Sequence, residues 1–90
     1  MEQKFILALE NARRQAEKLG VRIRPMDMQG AMRCLSSHRE SDGFWPLADK
    51  GRLDLTLEAL AVNKLYTVLF TDVQVNNALS RLLDAGYTFK

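Results

Sequence analysis

The sequence predicts a mostly α fold, a compact single-domain bundle of about four helices that spans residues 1–90. Two observations carry this prediction. Apolar residues recur at helical spacing in segments 2–19 and 72–85, and a glycine follows each segment where a helix would end. A chain of 90 residues is also long enough for one modest core. A minor two-stranded β element, formed by 21–24 and 65–70, is an open alternative that would make the fold α+β.

The first predicted helix covers residues 2–19. Its apolar residues lie at spacings of four, three, four and three, which makes a single stripe of Phe5, Leu9, Ala12, Ala16 and Leu19. Gly20 stands at the natural end of this helix. Coiled coils show the same rhythm. Because this stripe lasts less than three heptads, packing of the stripe on its own domain is the favoured interpretation. A homodimer through this helix is the alternative.

A second helix is predicted over 25–36, after a short segment of alternating apolar and basic residues, VRIR (21–24). Pro25 suits the first turn of a helix. Met28 and Met32 would then share one face of it. The next segment, 36–52, is punctuated by serines, glycines and a proline, so it is predicted to be irregular.

Residues 53–70 are predicted to be mostly helical. Apolar residues fall on every side of the helical projection, which is typical of a central, buried helix. The alternative ends the helix near Asn63 and makes LYTVLF (65–70) a strand, because this stretch is rich in β-forming residues.

The last predicted helix covers 72–85. Thr71 and Gln74 form the T-x-x-Q pattern of a capping box, and Gly86 stands where a left-handed C-cap belongs. The apolar face of this helix is predicted to consist of Val75, Ala78, Leu79, Leu82 and Leu83.

Composition and charge restrict the class of protein. The net charge of +2 is too small to indicate a nucleic-acid binder by itself. One cysteine allows no internal disulfide, and no apolar run is long enough to span a bilayer. The first residues lead directly into a helical pattern and do not resemble a signal peptide. We therefore expect a cytoplasmic protein that has no membrane partner and needs no cofactor.

The window 34–45, CLSSHRESDGFW, contains the only Cys, the only His and the only Trp of the chain. It contains the residue types of a hydrolase triad (Ser, His and Asp), but side chains this close in sequence rarely align as a catalytic triad. Cys34 and His38 could supply two ligands to a metal ion, yet zinc needs three or four. The sequence therefore predicts neither an enzyme nor a metal site.

Binding of a protein partner is the favoured function. Tryptophan is a frequent anchor of protein interfaces because it offers a large apolar area at low entropic cost. Methionine side chains adapt to irregular apolar surfaces. The predicted partner-binding residues are Phe44, Trp45, Met28 and Met32. The competing interpretation is that the two aromatic residues pin the long loop onto the core.

DNA binding is the alternative function. LTLEALA (Leu55–Ala61) and TDVQVNNALSRLLDAGY (Thr71–Tyr87) together resemble the end of a winged helix-turn-helix domain, with the second segment in the place of the recognition helix. The resemblance implies a DNA-facing set on that helix, and Asn and Arg suit base edges. Three basic residues of the first helix would assist. The DNA-binding residues would be Asn76, Asn77, Ser80, Arg81, Arg13, Arg14 and Lys18.

The general character of two sequence segments gives a further resemblance. GFWPLADKGRLDLTLEALAVN, which runs on towards VQVNNALSRLLDAGY, is similar to the small accessory proteins of enterobacterial prophages and satellite phages. Such proteins usually act by binding, so the resemblance implies a regulatory or interaction protein encoded by a mobile element.

Overall fold

The computed structural model describes residues 2–87, which form five α-helices and two short 3-10 turns, with no β-strand among them. The helices are α1 (Glu2–Lys18), α2 (Met28–Ser36), α3 (Phe44–Asp49), α4 (Leu57–Ala61) and α5 (Asp72–Asp84), and the 3-10 turns are Leu53–Leu55 and Thr67–Leu69. The mostly α fold is confirmed. The β element of 21–24 and 65–70 is wrong, and five helices replace the expected four.

Helix α1 follows its predicted stripe. Phe5, Ala12 and Ala16 are buried, and the stripe packs on this chain's own domain. Gly20 then takes a φ of +83°, and the Val21 N–H donates to the Ala16 carbonyl at 3.0 Å. A left-handed residue after the last turn ends a helix in this way, and glycine adopts it without strain.

Helix α2 begins three residues later than predicted, at Met28 instead of Pro25. Asp27 is its N-cap, because the Asp27 carboxylate accepts a hydrogen bond from the Gly30 N–H at 2.7 Å. A short acceptor side chain at this position satisfies an amide that the helix itself leaves free. The preceding run, 21–27, contains no helix, turn or bend.

Residues 53–70 do not form one helix. The Thr56 hydroxyl donates to the Leu53 carbonyl at 2.7 Å and accepts from the Ala59 N–H at 3.1 Å, so α4 starts afresh there. Asn63 Oδ1 accepts from the Leu65 N–H at 2.9 Å, which forms a turn just after α4. Short polar side chains offer the backbone these alternatives to a continuous helix.

Residues 65–70 form neither the favoured helix nor the alternative strand; they form turns and a 3-10 turn that pack on Phe5. Tyr66 and Phe70 both lie edge-on to the Phe5 ring, with centroids 5.3 and 5.2 Å away. Val68, between them, is 75% exposed. In a strand, residues 66, 68 and 70 would share one face. The segment's β-forming composition is therefore overridden by the packing of two aromatic rings on a third.

Helix α5 has the predicted capping box and C-terminal glycine. The Thr71 hydroxyl accepts from the Gln74 N–H, and Gln74 Oε1 accepts from the Thr71 N–H. The predicted apolar face is only partly right. Ala78 and Leu82 are buried together with Gln74, whereas Val75 and Leu79 are partly exposed and Leu83 is exposed. Compared with the predicted face, the buried face of α5 is rotated so that it includes polar side chains of this helix that hydrogen-bond to α2.

The core consists of three adjoining apolar clusters. Leu60 packs against both the cluster that contains Phe5 and the cluster that contains Leu47, so α4 lies at the centre of the fold. The Cα radius of gyration is 11.7 Å, as expected for a compact chain of this length. Among the described residues, no helix is long and apolar enough to cross a membrane. The three clusters are Phe5, Ala31, Leu35, Leu57, Ala61 and Ala78; Ala12, Ala16, Val21, Leu47 and Leu55; and Phe44, Leu53 and Leu82.

Candidate partner-binding site

Trp45 is presented to solvent beside a buried aromatic residue. It is the second residue of α3 and is 50% exposed, whereas its neighbour Phe44 is 1% exposed. The two rings meet edge to face, with centroids 5.2 Å apart. Phe44 packs with Leu53 and Leu82 in the core. The aromatic pair therefore divides its roles: Phe44 anchors the segment, and half of the Trp45 surface is available for contact.

Gly43 sets the position of this aromatic pair. It precedes α3 with a φ of +77°. A Cβ atom added there would lie 2.8 Å from Ile23 Cγ1 and 3.0 Å from Val21 Cγ1. Only glycine allows both the left-handed backbone and this close approach. The start of α3 is thus packed directly against the segment that follows α1.

We expect Gly43→Ala to lower the free energy of unfolding by about 2–3 kcal/mol, because it adds backbone strain and overpacking at one position. Gly51→Ala is the matched control. Gly51 has a φ of +70°, but no atom lies within 4 Å of an added Cβ, so only the strain remains. Urea denaturation of both variants measures the difference. Equal losses would contradict the packing argument.

The two methionines are not part of the core cluster that holds Phe44. Met28 packs against the cluster that contains Phe5, whereas Phe44 belongs to the cluster with Leu82. Met32 is partly buried, and its carbonyl accepts a hydrogen bond from Gln74 Nε2 at 3.3 Å. Because Phe44 is buried, the four predicted partner-binding residues do not together form one exposed patch. Phe44 in particular is a core residue, because its burial holds α3 in place.

A buried ion pair lies beneath the loop between α2 and α3. The Glu58 side chain is fully buried, and Arg81 Nη1 lies 3.2 Å from its Oε2 atom. Glu58 also accepts hydrogen bonds from the backbone N–H and the hydroxyl of Ser41. A buried carboxylate requires such partners, because desolvation otherwise penalises its charge. The pair thereby fastens the loop to α4 and α5.

Side chains of α5 complete the C-terminal end of α2. The last carbonyls of a helix have no partner within the helix. Here Arg81 donates to the carbonyls of Cys34 and Ser37, and Asn77 Nδ2 donates to the Leu35 carbonyl at 2.9 Å. A cation at this end of a helix is also favoured by the helix dipole. These contacts explain why the buried face of α5 is partly polar.

These contacts correct the placement of the DNA-binding set on α5. Asn76 and Ser80 are exposed, but Asn77 and Arg81 face inward towards α2. The expectation that all four share one exposed face is therefore wrong. Arg81 is only 10% exposed and three of its five N–H donors are bonded within the protein, so its guanidinium is not presented to a base edge.

The three basic residues of α1 differ in their surroundings. Arg13 donates from Nε and Nη2 to both carboxylate oxygens of Glu10, at 3.1 and 2.9 Å. This hydrogen bonding lowers the pKa of the Glu10 carboxyl. Arg14 and Lys18 are exposed and form no ion pair within the described part of the chain.

The polar residues of window 34–45 do not form a reactive group. The Ser37 hydroxyl donates to the Cys34 carbonyl at 2.7 Å, and the Ser41 hydroxyl donates to Glu58. His38 is exposed and makes no hydrogen bond to a described residue. No group of three or more His, Cys, Asp or Glu side chains that could hold a metal ion occurs within residues 2–87. Ser37 bonds to nearby backbone, Ser41 attaches the loop to α4, and Ser36 accepts a hydrogen bond from Gln74 Nε2 of α5 at 2.9 Å.

We expect the Cys34 thiol to react slowly. Burial raises its pKa, and the nearby Glu58 carboxylate raises it further. A raised pKa leaves less thiolate at neutral pH, and the thiolate is the nucleophile. Alkylation by iodoacetamide should therefore be roughly tenfold or more slower in the folded protein than in the urea-unfolded protein. Equal rates would contradict the burial of this side chain.

Sequence reasoning missed the Glu58–Arg81 pair. A signal was present: Glu58 stands inside LTLEALA, a run whose other positions suit a buried segment. A carboxylate there needs a cationic partner from another element. A helical projection centred on the leucines places Arg81 on the exposed side of α5, whereas the buried face includes Gln74 and Ala78.

Comparison with protein-family models, with curated proteins and with solved structures gave no match to this chain.

Proposed function

We propose that this protein is a small non-enzymatic regulatory or interaction protein that acts by binding a protein partner. The half-exposed Trp45 on its buried Phe44 support is the observation that carries the proposal. The likeness of the chain to accessory proteins of prophages and satellite phages agrees with such a role, since those proteins usually bind other macromolecules.

The support under Trp45 makes it a good anchor. An interface residue contributes more when its conformation is fixed before binding, because less entropy is lost on association. Trp45 lies on a short helix whose first residue is buried and whose start is packed against Ile23. Its indole therefore offers a large apolar surface on backbone that is held by the core. Trp, Tyr and Arg dominate the hot spots of protein interfaces.

Affinity purification from the producing cells tests this proposal. The tagged wild-type protein, Trp45→Ala and Val68→Ala are compared, with Val68 as the matched control because it is even more exposed. We expect the wild type and Val68→Ala to retain the same partner and Trp45→Ala to lose it. Retention by Trp45→Ala would contradict the proposal. Circular-dichroism melting of each variant shows whether the fold is intact.

Self-association is one form that this interaction can take. The partner would then be a second copy, and a homodimer would bury Trp45 in its interface. Sedimentation velocity of the wild type and Trp45→Ala over a wide concentration range separates this case from a different partner. A dimer that Trp45→Ala dissociates would identify the partner as the protein itself.

DNA binding is the second candidate, and exposed Arg14 and Lys18 favour it. Arg81→Ala does not test this candidate, because Arg81 holds buried Glu58 and its loss would destabilise the fold. Arg14→Ala and Lys18→Ala are suitable variants. Binding to a labelled duplex at about 50 and 200 mM salt would reveal phosphate contacts by its salt dependence. Salt-sensitive binding that both variants weaken would favour DNA over a protein partner.

A further inference from the structure

Helix α5 carries a ridge of three apolar side chains that the core does not use. Val75, Leu79 and Leu83 are spaced four residues apart, so they follow one another along one face of the helix. Val75 and Leu79 are partly exposed, and Leu83 is 58% exposed. Among the described residues, the three core clusters and the apolar side chains packed on them include none of these three. The ridge is therefore free to contact a second molecule.

An open depression lies at the N-terminal end of this ridge. Val75 forms one side of it, and the 3-10 turn before α5 contributes the 75% exposed Val68. Three of its six lining residues are apolar, and Asp72 is the one among them that carries a charge. The depression can therefore accept an aliphatic side chain from outside. Its lining residues are Thr67, Val68, Phe70, Asp72, Val75 and Asn76.

The depression and Leu83 lie on the same face of α5. Successive residues of an α-helix are about 100° apart around its axis, so Val75 and Leu83 lie about 40° to either side of Leu79. By the same geometry, Asp72 and Asn76 lie within about 60° of Leu79. The face thus has a hollow one turn before Leu79 and a protruding leucine one turn after it.

Such a face is complementary to a second copy of itself. In a two-fold symmetric interface, each contact between two different residues occurs twice. A two-fold axis beside Leu79 places Leu83 of each copy over the depression of the other, and the two Leu79 side chains meet at the axis. Rows of residues four apart are also the ridges that interlock when two helices cross at about −50°. One surface therefore supplies both halves of the contact.

The charged residues of α5 lie away from the centre of this contact. Asp72 is seven residues from Leu79, so its two copies would be about 20 Å apart, well beyond the screening length of about 8 Å. Asp84 lies about 140° from Leu79 around the helix. Arg81 is directed inward, to Glu58. The contact therefore depends on apolar burial and not on charge.

We propose that this protein forms a homodimer through α5, with Leu83 of each copy seated in the depression beside Val75 of the other. The contact goes beyond the proposed function, because Trp45 lies on α3 and does not line the depression. The apolar side chains concerned are those of the ridge together with Val68 and Phe70. They form a small interface beside the roughly 800 Å² that each partner buries in a standard one, so the dimer dissociates on dilution.

Sedimentation velocity of the purified protein from about 10 µM to 1 mM tests the proposal, since this range covers weak association. We expect the wild type to pass from monomer to dimer. Leu83→Glu should stay monomeric throughout, because it would bury a charge in the depression of the other copy. Leu7→Glu is the matched control and should dimerise as the wild type does. Leu7 is 67% exposed on α1, so the same change is made at a similarly exposed leucine.

Three results would overturn the proposal. The first is a wild type that stays monomeric at the highest concentration, and the second is a Leu83→Glu variant that still dimerises. The third is a dimer that added salt dissociates, because salt screens charges but does not weaken apolar burial. Circular-dichroism melting shows whether Leu83→Glu and Leu7→Glu are equally folded.

Disulfide crosslinking locates the two-fold axis without a charged substitution. Cys34→Ala is the background, since the native thiol is partly exposed. In it, Leu79→Cys should crosslink to its own copy on mild oxidation. Val75→Cys and Leu83→Cys should each fail to crosslink alone, because their own copies are too far apart, and should crosslink to each other when mixed. A mixture that forms no such disulfide would overturn the arrangement.

A helix of a different protein is the other occupant that the ridge could take. It would replace the second copy if the purified protein stayed monomeric and the partner captured from cells were lost by Leu83→Glu but kept by Trp45→Ala. Failure of the dimer would leave the Trp45 proposal standing, because partner capture through Trp45 is measured separately. Conversely, a dimer that persists in Trp45→Ala would survive failure of the Trp45 proposal.

Discussion

Arg81→Leu is expected to lower the free energy of unfolding by about 3–5 kcal/mol, the usual cost of leaving a buried charge without its partner. Glu58 is fully buried, and Arg81 is only 10% exposed. The substitution removes the counter-charge of Glu58 and the donors to the carbonyls of Cys34 and Ser37. Because domains of this size are stable by only about 5–15 kcal/mol, the variant should melt at a much lower temperature.

Arg52→Leu is the matched control for this prediction. Arg52 also pairs with a carboxylate, Asp54, at 3.0 Å, but both side chains are well exposed. Exposed ion pairs contribute little, so Arg52→Leu should leave the melting temperature almost unchanged. Urea denaturation followed by circular dichroism compares the two variants. Similar losses would contradict the burial of the Glu58–Arg81 pair.

A double-mutant cycle separates the pair from its surroundings. Glu58→Gln, Arg81→Leu and the double variant are measured together. The two single losses should add to more than the loss in the double variant, because each single change strands the other partner. Strict additivity would show that the two side chains do not act as a unit.

Phe5→Ala is expected to cost about 3–5 kcal/mol, as is typical when a buried aromatic side chain is truncated. Phe5 is fully buried and is the ring on which Tyr66 and Phe70 both rest edge-on. Its loss should therefore also loosen the segment between α4 and α5. Faster amide exchange at 63–70 would be the local sign of this effect.

Leu7→Ala is the control on the same helix. Leu7 is exposed, and it packs in none of the three core clusters. Substitutions of this kind usually change stability by no more than about 0.5 kcal/mol. If Phe5→Ala and Leu7→Ala had similar effects, the assignment of α1's buried face would be wrong.

Local signals in the sequence were sufficient for the two long helices. The stripe that begins at Phe5 and the capping box of Thr71 and Gln74 both appear in the structure as the patterns predict. Each depends on residues within a few positions of one another, so sequence spacing alone describes the physics.

Predictions failed where short polar side chains interrupt a helix locally or where distant residues decide the conformation. The 53–70 segment is broken by Thr56 and Asn63, whose side chains bond to nearby backbone, and its end is shaped by the distant ring of Phe5. Leucine periodicity also oriented α5 incorrectly, because its buried face is chosen by partners on α2 and α4. Glu58 and Arg81 are 23 positions apart, and no local pattern links them.

The exposure of the two predicted aromatic residues also depends on distant contacts. Trp45 is exposed enough to contact a partner, but its neighbour Phe44 is needed by the core. Sequence alone leaves open which of two adjacent aromatic residues turns inward. The left-handed Gly43, packed against Val21 and Ile23, fixes that choice through contacts with a segment 20 and more positions away.

Site-specific photo-crosslinking tests the central claim, that this protein binds a protein partner through Trp45. Photo-reactive benzoylphenylalanine is placed at position 45 or, as a control, at position 68, and producing cells are irradiated. We predict one distinct crosslinked protein for position 45 and none of that protein for position 68. No crosslink at position 45, or the same products from both positions, would contradict the claim.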